Sequence, residues 1–313
     1  MKIVFFGTPQ FAANILTFLK EKNINVVAIV TQKDTPKGNS FIEPPVKKKA
    51  LELFQKPPIF QPVKASDPEF IEEIKKLKPD LFIVVAYGQI LKKALLDIPS
   101  KGCINIHASL LPKYRGAAPI QRAILNGEKT TGITIMKMVP QMDAGDIIAL
   151  KEIEIGEMNF KELEENLCAI AKPLLFDVIS AYEKNQIKAY PQDEKLVTYA
   201  PKITLSDLEI NFNNDALNIY NQVRAFSPIP GARCLIELHG EKKMMKILQC
   251  KVLDVKNSLD APGKVLKFEK DVFIIACKNQ ALQILKLQIE GKKAMDSIEF
   301  IRGVKNSIKI VFP

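Results

Sequence analysis

Asn105 and His107 stand two residues apart in the stretch CINIHASLLPKYRGAAPIQ, residues 103–121. In an extended strand alternate side chains share a face, so the two would point the same way. If the strand belongs to an open α/β sheet, its carboxyl end is where such sheets bind ligands. Pro112, Gly116 and Pro119 follow and make the backbone irregular enough to shape a pocket wall. A second loop, VPQMDAGDI at 139–147, offers Asp143 and Asp146. Either carboxylate, reaching the imidazole, would complete an Asn, His and Asp set.

That set has no nucleophile of its own. Ser109 is the nearest hydroxyl, and nothing beside it would activate it. A set of this kind suits a reaction in which the substrate brings the nucleophile, such as an amine attacking a formamide-like carbonyl. The carbonyl oxygen becomes an oxyanion, to which the Asn105 amide and a charged His107 can donate. One such donor is typically worth about 2.7–4 kcal/mol in the transition state. The carboxylate would favour the charged imidazole and accept the proton leaving the amine, directly or through water.

Other chemistries lack their residues. The loop after the first apolar run has one glycine, Gly7, where a dinucleotide fingerprint needs three. No G-x-x-x-x-G-K-[ST] and no G-x-S-x-G occurs. The five cysteines are scattered and odd in number, which predicts buried thiols rather than disulfides or a thiolate metal site. His107 and His239 have no neighbouring partner ligands, and no metal is expected.

The elements that must position these residues are readable in the N-terminal half. The runs at 2–6, 25–31, 80–86 and 101–107 are the continuous apolar kind that parallel strands buried on both faces show. Gly7, Thr8 and Pro9 open a helix with Phe11, Ile15, Phe18 and Leu19 on one stripe. A helix at 67–77 carries Phe70, Ile71, Ile74 and Leu77. The alternation predicts an α/β fold with a mostly parallel, doubly wound, Rossmann-like sheet. Segments 132–139 and 146–155 read as an antiparallel hairpin at its edge. A helical region over 159–184 closes the domain, with Pro173 starting, ending or kinking a helix there. Periodicity is lost from about 188 to 206, which reads as a linker. A helix at 215–226 and strands at 233–238, 243–253, 263–268, 272–277, 281–289 and 308–312 then predict a small OB-like β-barrel. The expected division is 1–189 catalytic domain, 190–205 linker and 206–313 C-terminal domain.

At 313 residues the length favours about two domains. No apolar run approaches the ~18 residues of a membrane span. Met1 to Phe6 is too short for a signal-peptide core, so a cytoplasmic location is expected. The net charge of +10 favours a polyanionic partner. Residues 206–313 hold 17 Lys+Arg against 12 Asp+Glu, a net positive charge per residue about twice that of the remainder.

The stretch NIHASLLPKYRGAAPIQRAI (105–124) together with MDAGDI (142–147) resembles the folate-dependent formyltransferase family. FFGTPQFAA (5–13), VVAYGQIL (84–91), TGITIMKM (131–138), QDEKLVTYAPKI (192–203), RAFSPIPGA (224–232) and GKKAM (291–295) extend the resemblance over the chain and toward the tRNA-directed members. The resemblance implies a Rossmann-like formyltransferase domain, a linker and an OB-like barrel. It implies formyl transfer from 10-formyltetrahydrofolate to the amino group of methionine on initiator tRNA. Asn105, His107 and Asp143 match the catalytic trio. Ser109, Leu110, Leu111 and Pro112 match the formyl-folate segment. Gln89, Ile90 and Leu91 sit where relatives hold the pterin ring. The expected partners are methionyl initiator tRNA and formyl-folate, with no membrane and a monomeric chain. In the family, the loop after the second strand is typically longer, rich in Arg, Lys and Gly, and reaches the tRNA acceptor end. Here residues 31–49 are shorter and lack arginine. Lys33 and Lys37 remain, with Lys37 the candidate tRNA contact, although lysine cannot reproduce a planar guanidinium contact. Alternatives are a sugar-nucleotide amine formyltransferase, a catalytically silent RNA-binding protein, and hydrolysis of the formyl-folate by water.

Overall fold

The apolar runs of the N-terminal half are the inner strands of one sheet. The computed structural model describes all residues except 39, 56–57, 255–260, 270, 305–307 and 312–313. The chain divides into two compact units, one of residues 1–119, 130–154 and 164–200, the other of 120–129, 155–163 and 201–313.

The first elements are β1 (Ile3–Gly7), α1 (Gln10–Glu21), β2 (Val26–Val30), β3 (Thr35–Lys37), β4 (Ser40–Ile42), α2 (Pro45–Leu53), β5 (Ile59–Phe60), α3 (Pro68–Lys76), β6 (Leu81–Val85), α4 (Lys93–Leu96), β7 (Cys103–His107) and β8 (Arg115–Gly116). They are followed by α5 (Pro119–Leu125), β9 (Thr130–Lys137), β10 (Ile147–Glu154), α6 (Phe160–Glu183) and β11 (Tyr199–Ala200). The main sheet has the order β10-β9-β7-β6-β1-β2-β5. β7, β6, β1, β2 and β5 are parallel, and β9 and β10 add an antiparallel hairpin at the edge beside β7. β1 and β6 are buried at every position, as strands covered on both faces must be. Phe6, Phe82 and Tyr87 pack within this core, the Phe6 and Phe82 rings 4.9 Å apart.

Two features depart from the sequence reading, and a third narrows it. The segment 31–49 is not a plain loop: β3 and β4 form a small hairpin, and its base is tied where Lys47 meets Asp34 at 2.6 Å and Gln61 Nε2 donates to Asp34 at 2.8 Å. α2 buries only Val46 and Ala50, too narrow a stripe to read as a helix. Pro173 lies inside α6, so it neither starts nor ends that helix. A helix-interior proline costs about 3 kcal/mol. Leu167, Ala171 and Leu175, each fully buried on one stripe, offset it, at roughly 1.5–3 kcal/mol for a side chain the size of leucine.

The second unit contains α7 (Ala216–Phe226), β12 (Ala232–Leu238), β13 (Glu241–Leu253), β14 (Val265–Glu269), β15 (Val272–Ala276), β16 (Ala281–Ile289), β17 (Met295–Asp296), α8 (Ser297–Gly303) and β18 (Lys309–Val311). Its sheet runs β14-β15-β16-β13-β12-β18 and is antiparallel throughout. β13 shifts register between Ile247 and Cys250, and such bulges bend a long strand so that the sheet curls as an OB-like half-barrel. β12 alternates buried and half-buried positions, and Met245, Ile247, Phe273, Ile284 and Leu287 fill the inner face. The predicted strands match to within two residues, except that position 312 of the last lies outside the described residues. All five cysteines are buried and free. Burial pushes the thiols of Cys103, Cys234, Cys250 and Cys277 up to about 12. Among the described residues no helix is long and apolar enough to cross a membrane.

Within the second unit, Arg122 grips Asp207 in a two-pronged ion pair, with Nη1–Oδ1 at 2.8 Å and Nη2–Oδ2 at 3.0 Å. The Arg122 hydrogen bonds, with those from Thr204, hold the Asp207 carboxyl down at about 2 from the usual 3.8. Because the folded value is depressed, this stabilisation, about 2 kcal/mol at most, is complete above about pH 5. It is lost as pH falls through the interval from 3.8 toward about 2. Denaturant titrations of the wild type and Arg122→Ala between pH 6 and pH 2 should show the difference between them shrinking over that interval.

Candidate active site

β7 delivers the two polar side chains singled out from the sequence. It pairs with β6 on one side and β9 on the other, so it is an inner strand and its register is held from both edges. Asn105 lies opposite Met136 and His107 opposite Thr134. His107 is the last residue of the strand, so the pair stands at the carboxyl end of a parallel strand, where α/β sheets open to ligands.

The loop after β7 turns back on the imidazole. Tyr114 adopts a left-handed backbone (φ 62°), and its carbonyl oxygen lies 2.8 Å from His107 Nε2. Nε2 therefore carries the proton and donates, leaving Nδ1 to face the other way. There it meets Asp143 Oδ2 at 3.7 Å, beyond hydrogen-bonding distance. His107 is 6% exposed, so the ring has little freedom to leave this position.

Asp143 resolves the choice between the two carboxylates in its loop. Its Oδ2 accepts the Gly116 amide at 2.8 Å, and its Oδ1 lies 3.4 Å from Asn105 Nδ2. Asp146 is half-exposed and sits 3.8 Å from Lys137 Nζ. Asp143 is also left-handed (φ 51°). Such conformations in non-glycine residues cost of the order of 1–3 kcal/mol and persist only where surroundings enforce them. Two glycines make the enforcement sterically possible. A Cβ on Gly145 would collide with the Lys137 carbonyl oxygen, and one on Gly116 would stand 2.6 Å from the Ala200 carbonyl oxygen.

The remaining predicted residues have separate surroundings. Ser109 is fully buried and its hydroxyl donates to the Lys113 carbonyl at 2.6 Å, which makes it a loop fastener. Leu111 packs with Met136 and Ile147, and its amide donates to Thr134 Oγ1. Leu110 packs near Gly132, and Pro112 accepts a hydrogen bond from the Thr198 amide. Gln89 turns into neighbouring loops, accepting the Ala65 amide at 2.6 Å. Ile90 is 80% exposed, whereas Leu91 is buried in the core. Lys37 is exposed in β3 and Lys33 is exposed just before it, in a different loop from the trio. Among the described residues no group of three or more His, Cys, Asp or Glu is placed to hold a metal ion.

Sequence reading missed the segment after residue 188. It has no hydrophobic period, yet it is bound to this site by polar contacts. Tyr190 bridges Ile147, and β11 pairs in parallel with β8. Gln192 is buried and reaches the Asp143 loop, and Thr198 Oγ1 accepts the Tyr114 amide at 2.9 Å. Hydropathy gave no sign of this, and beyond the linker reading the segment entered the sequence reading only as QDEKLVTYAPKI (192–203), one of the stretches that carry the resemblance.

Comparison with known proteins places these observations. A family described as formyl transferase matches residues 1–179, and one described as formyl transferase, C-terminal domain, matches residues 202–305. A methionyl-tRNA formyltransferase from Protochlamydia amoebophila is 45% identical over 99% of this chain and 98% of its own length. One from Kosmotoga olearia is 45% identical over 94% of each chain. An N-formyltransferase from Helicobacter canadensis, solved with folinic acid and dTDP-3-aminofucose, shares the fold at a TM-score of 0.67, with 20% identity over 91% of this chain and 98% of that one.

Replacing Gly116 by alanine should destabilise the protein by more than about 1 kcal/mol, since a side chain is forced into a positive-φ position with no space. Chemical denaturation measures the loss. An unchanged midpoint would mean that β8 and β11 do not approach as closely as described.

Proposed function

The chain belongs to the formyl transferase family, and on that premise we propose that Asn105, His107 and Asp143 carry out formyl transfer to the methionine of an aminoacylated initiator tRNA, with 10-formyltetrahydrofolate as donor. That the enzyme is a formyltransferase acting on methionyl-tRNA follows from relatives 45% identical over nearly the whole chain. The observation that carries the chemical reading is the convergence of an amide, an imidazole and a carboxylate at the end of β7, with the nearby Ser109 hydroxyl committed to the Lys113 carbonyl and no activated nucleophile beside them among the described residues.

The chemistry then divides among the three side chains. The amino nitrogen of methionine attacks the formyl carbon, and the carbonyl oxygen becomes an oxyanion. Asn105 Nδ2 donates to it, since its contact with Asp143 is long at 3.4 Å and leaves the amide available. His107 presents Nδ1 on the same side. When doubly protonated it donates there, while Nε2 stays fastened to Tyr114. Asp143 accepts the proton lost by the amine as the new C–N bond forms, directly or through a water. The bond from the formyl carbon to the folate nitrogen breaks, and that nitrogen leaves with the proton taken from the amine, returned by Asp143 directly or through the water. Donors fixed before the reaction stabilise the oxyanion without reorganising, which is why burial of His107 and the strained loop are worth their cost in stability.

Formyl-folate binding and catalysis are assigned to residues 1–189 and tRNA contact to 206–313, with 190–205 running between. Ser109, Leu110, Leu111 and Pro112 form the formyl-folate segment, and Gln89, Ile90 and Leu91 hold the pterin end. Lys37, exposed and on a hairpin, contacts tRNA, and the basic C-terminal residues face phosphates. The protein works in the cytoplasm as a monomer, with tRNA and formyl-folate as partners and no membrane; the steps above draw on side-chain donors and a carboxylate. The sugar-directed reading rests on likeness near 20% identity, which speaks to the fold.

Incubation with 10-formyltetrahydrofolate and methionyl initiator tRNA should yield formylmethionyl-tRNA, while a nucleotide-linked amino sugar should not be formylated. The reverse outcome would transfer the protein to the sugar-directed class. His107→Ala and Asn105→Ala should each reduce kcat/KM by about 10²–10³-fold, with the cooperative unfolding transition of a folded protein retained. Raising salt from 50 to 200 mM should weaken tRNA binding steeply, with a slope near −0.7 to −0.9 per phosphate contact on logarithmic axes. A flat response would remove the basic residues from tRNA binding.

A further inference from the structure

The patternless segment after residue 188 supplies one side chain whose every hydrogen-bonding position is used on the Asp143 loop or its support. Gln192 is 9% exposed. Its Nε2 donates to the carbonyl oxygens of Asp143 and Gly145, each at 2.8 Å. Its Oε1 accepts from Arg115 Nε at 3.0 Å and Nη2 at 2.8 Å. Both N–H donors and both lone pairs of the amide are thus engaged, which leaves one orientation of the side chain. Arg115 is itself 4% exposed, and its remaining face pairs with Glu194 at 2.7 Å.

These contacts close a ring. Arg115 is followed by Gly116, whose amide holds the Asp143 carboxylate. One two-residue strand, β8, therefore acts on Asp143 from both ends, through its amide on the carboxylate and through its guanidinium and Gln192 on the backbone. Parallel pairing with β11, Tyr199 to Arg115 and Ala200 to Gly116, fixes β8 in turn. Asp143 needs such support because its left-handed backbone is unfavourable for a residue with a side chain.

We infer that Gln192, seated by the buried Arg115, is a positioning residue for formyl transfer: it sets the backbone of the Asp143 loop and so the direction in which the carboxylate faces the amine and His107. It touches no reacting atom. The inference rests on the reading of Asp143 as the group that receives the amine's proton.

Two substitutions separate this role from simple structural support. Gln192→Met keeps the length and removes the amide. Gln192→Glu keeps an acceptor, now charged, for Arg115 and removes both donors, turning a carboxylate oxygen toward the two loop carbonyls. Each should lower single-turnover kcat by about 10–100-fold, the scale on which small misplacements of a reacting group act, with KM for 10-formyltetrahydrofolate within about twofold. The same substitutions in an Asp143→Asn background should add no further loss of rate, while any fall in melting temperature persists in both backgrounds. An equal fold-loss of rate in both backgrounds would overturn the inference, as would full turnover by Gln192→Glu and, where it folds, Gln192→Met, with Asp143→Asn crippled. Full turnover by Asp143→Asn alone would instead retire the catalytic reading on which it rests.

Discussion

The hydrogen bond from the Gly116 amide to the Asp143 carboxylate, 2.8 Å long, is the contact on which the site depends. It joins two loops that are far apart in sequence and that each contain a non-glycine residue in a left-handed conformation, Tyr114 and Asp143. Neither loop would hold that conformation alone, because each such residue costs of the order of 1–3 kcal/mol. Joined, they present two acceptors to His107, the Tyr114 carbonyl on Nε2 and the Asp143 carboxylate toward Nδ1. The imidazole is thus oriented by backbone geometry as much as by side chains.

The glycines at 116 and 145 make this approach possible by leaving out atoms. Each sits where a Cβ would strike a carbonyl oxygen of another segment, Ala200 or Lys137. The sheet provides the other half of the constraint. β7 is held between β6 and β9, so Asn105 and His107 cannot slip by one residue without turning both side chains to the opposite face. A rigid strand thus carries the donors and a strained loop the acceptor. Such a division suits a reaction whose nucleophile arrives on the substrate, for which the protein's task is alignment and proton transfer. A solved N-formyltransferase 20% identical to this chain shares the fold, and fold alone does not set what a site acts on.

The larger elements were legible wherever one physical signal dominated. Continuous apolar runs located β1, β2, β6 and β7, and short segments separated by turn residues located β12 and most strands after it. Small elements carried too few buried residues to register. β5 and β8 are two residues long, and α2 buries two side chains. Pro173 left three alternatives open, and the buried stripe around it, which keeps the proline inside the helix, removes two of them.

For the site, residue type and period-two spacing were enough to pair Asn105 with His107 and to ask for a carboxylate in the loop 139–147. They could not choose between Asp143 and Asp146, since both occupy the same turn. The choice was made by a backbone amide from residue 116, a contact with no local signature. Gln192 and Arg115 were invisible for a related reason: buried polar networks show no hydropathy period, and their partners lie 49 and 77 positions away along the chain. The sequence by itself thus determined which chemistry was possible and on which strand it would stand, because spacing and composition act over a few residues. Tertiary structure decided which carboxylate stands beside Asn105 and His107, which imidazole nitrogen faces it and what holds it there, because those are properties of chain segments brought together from a distance.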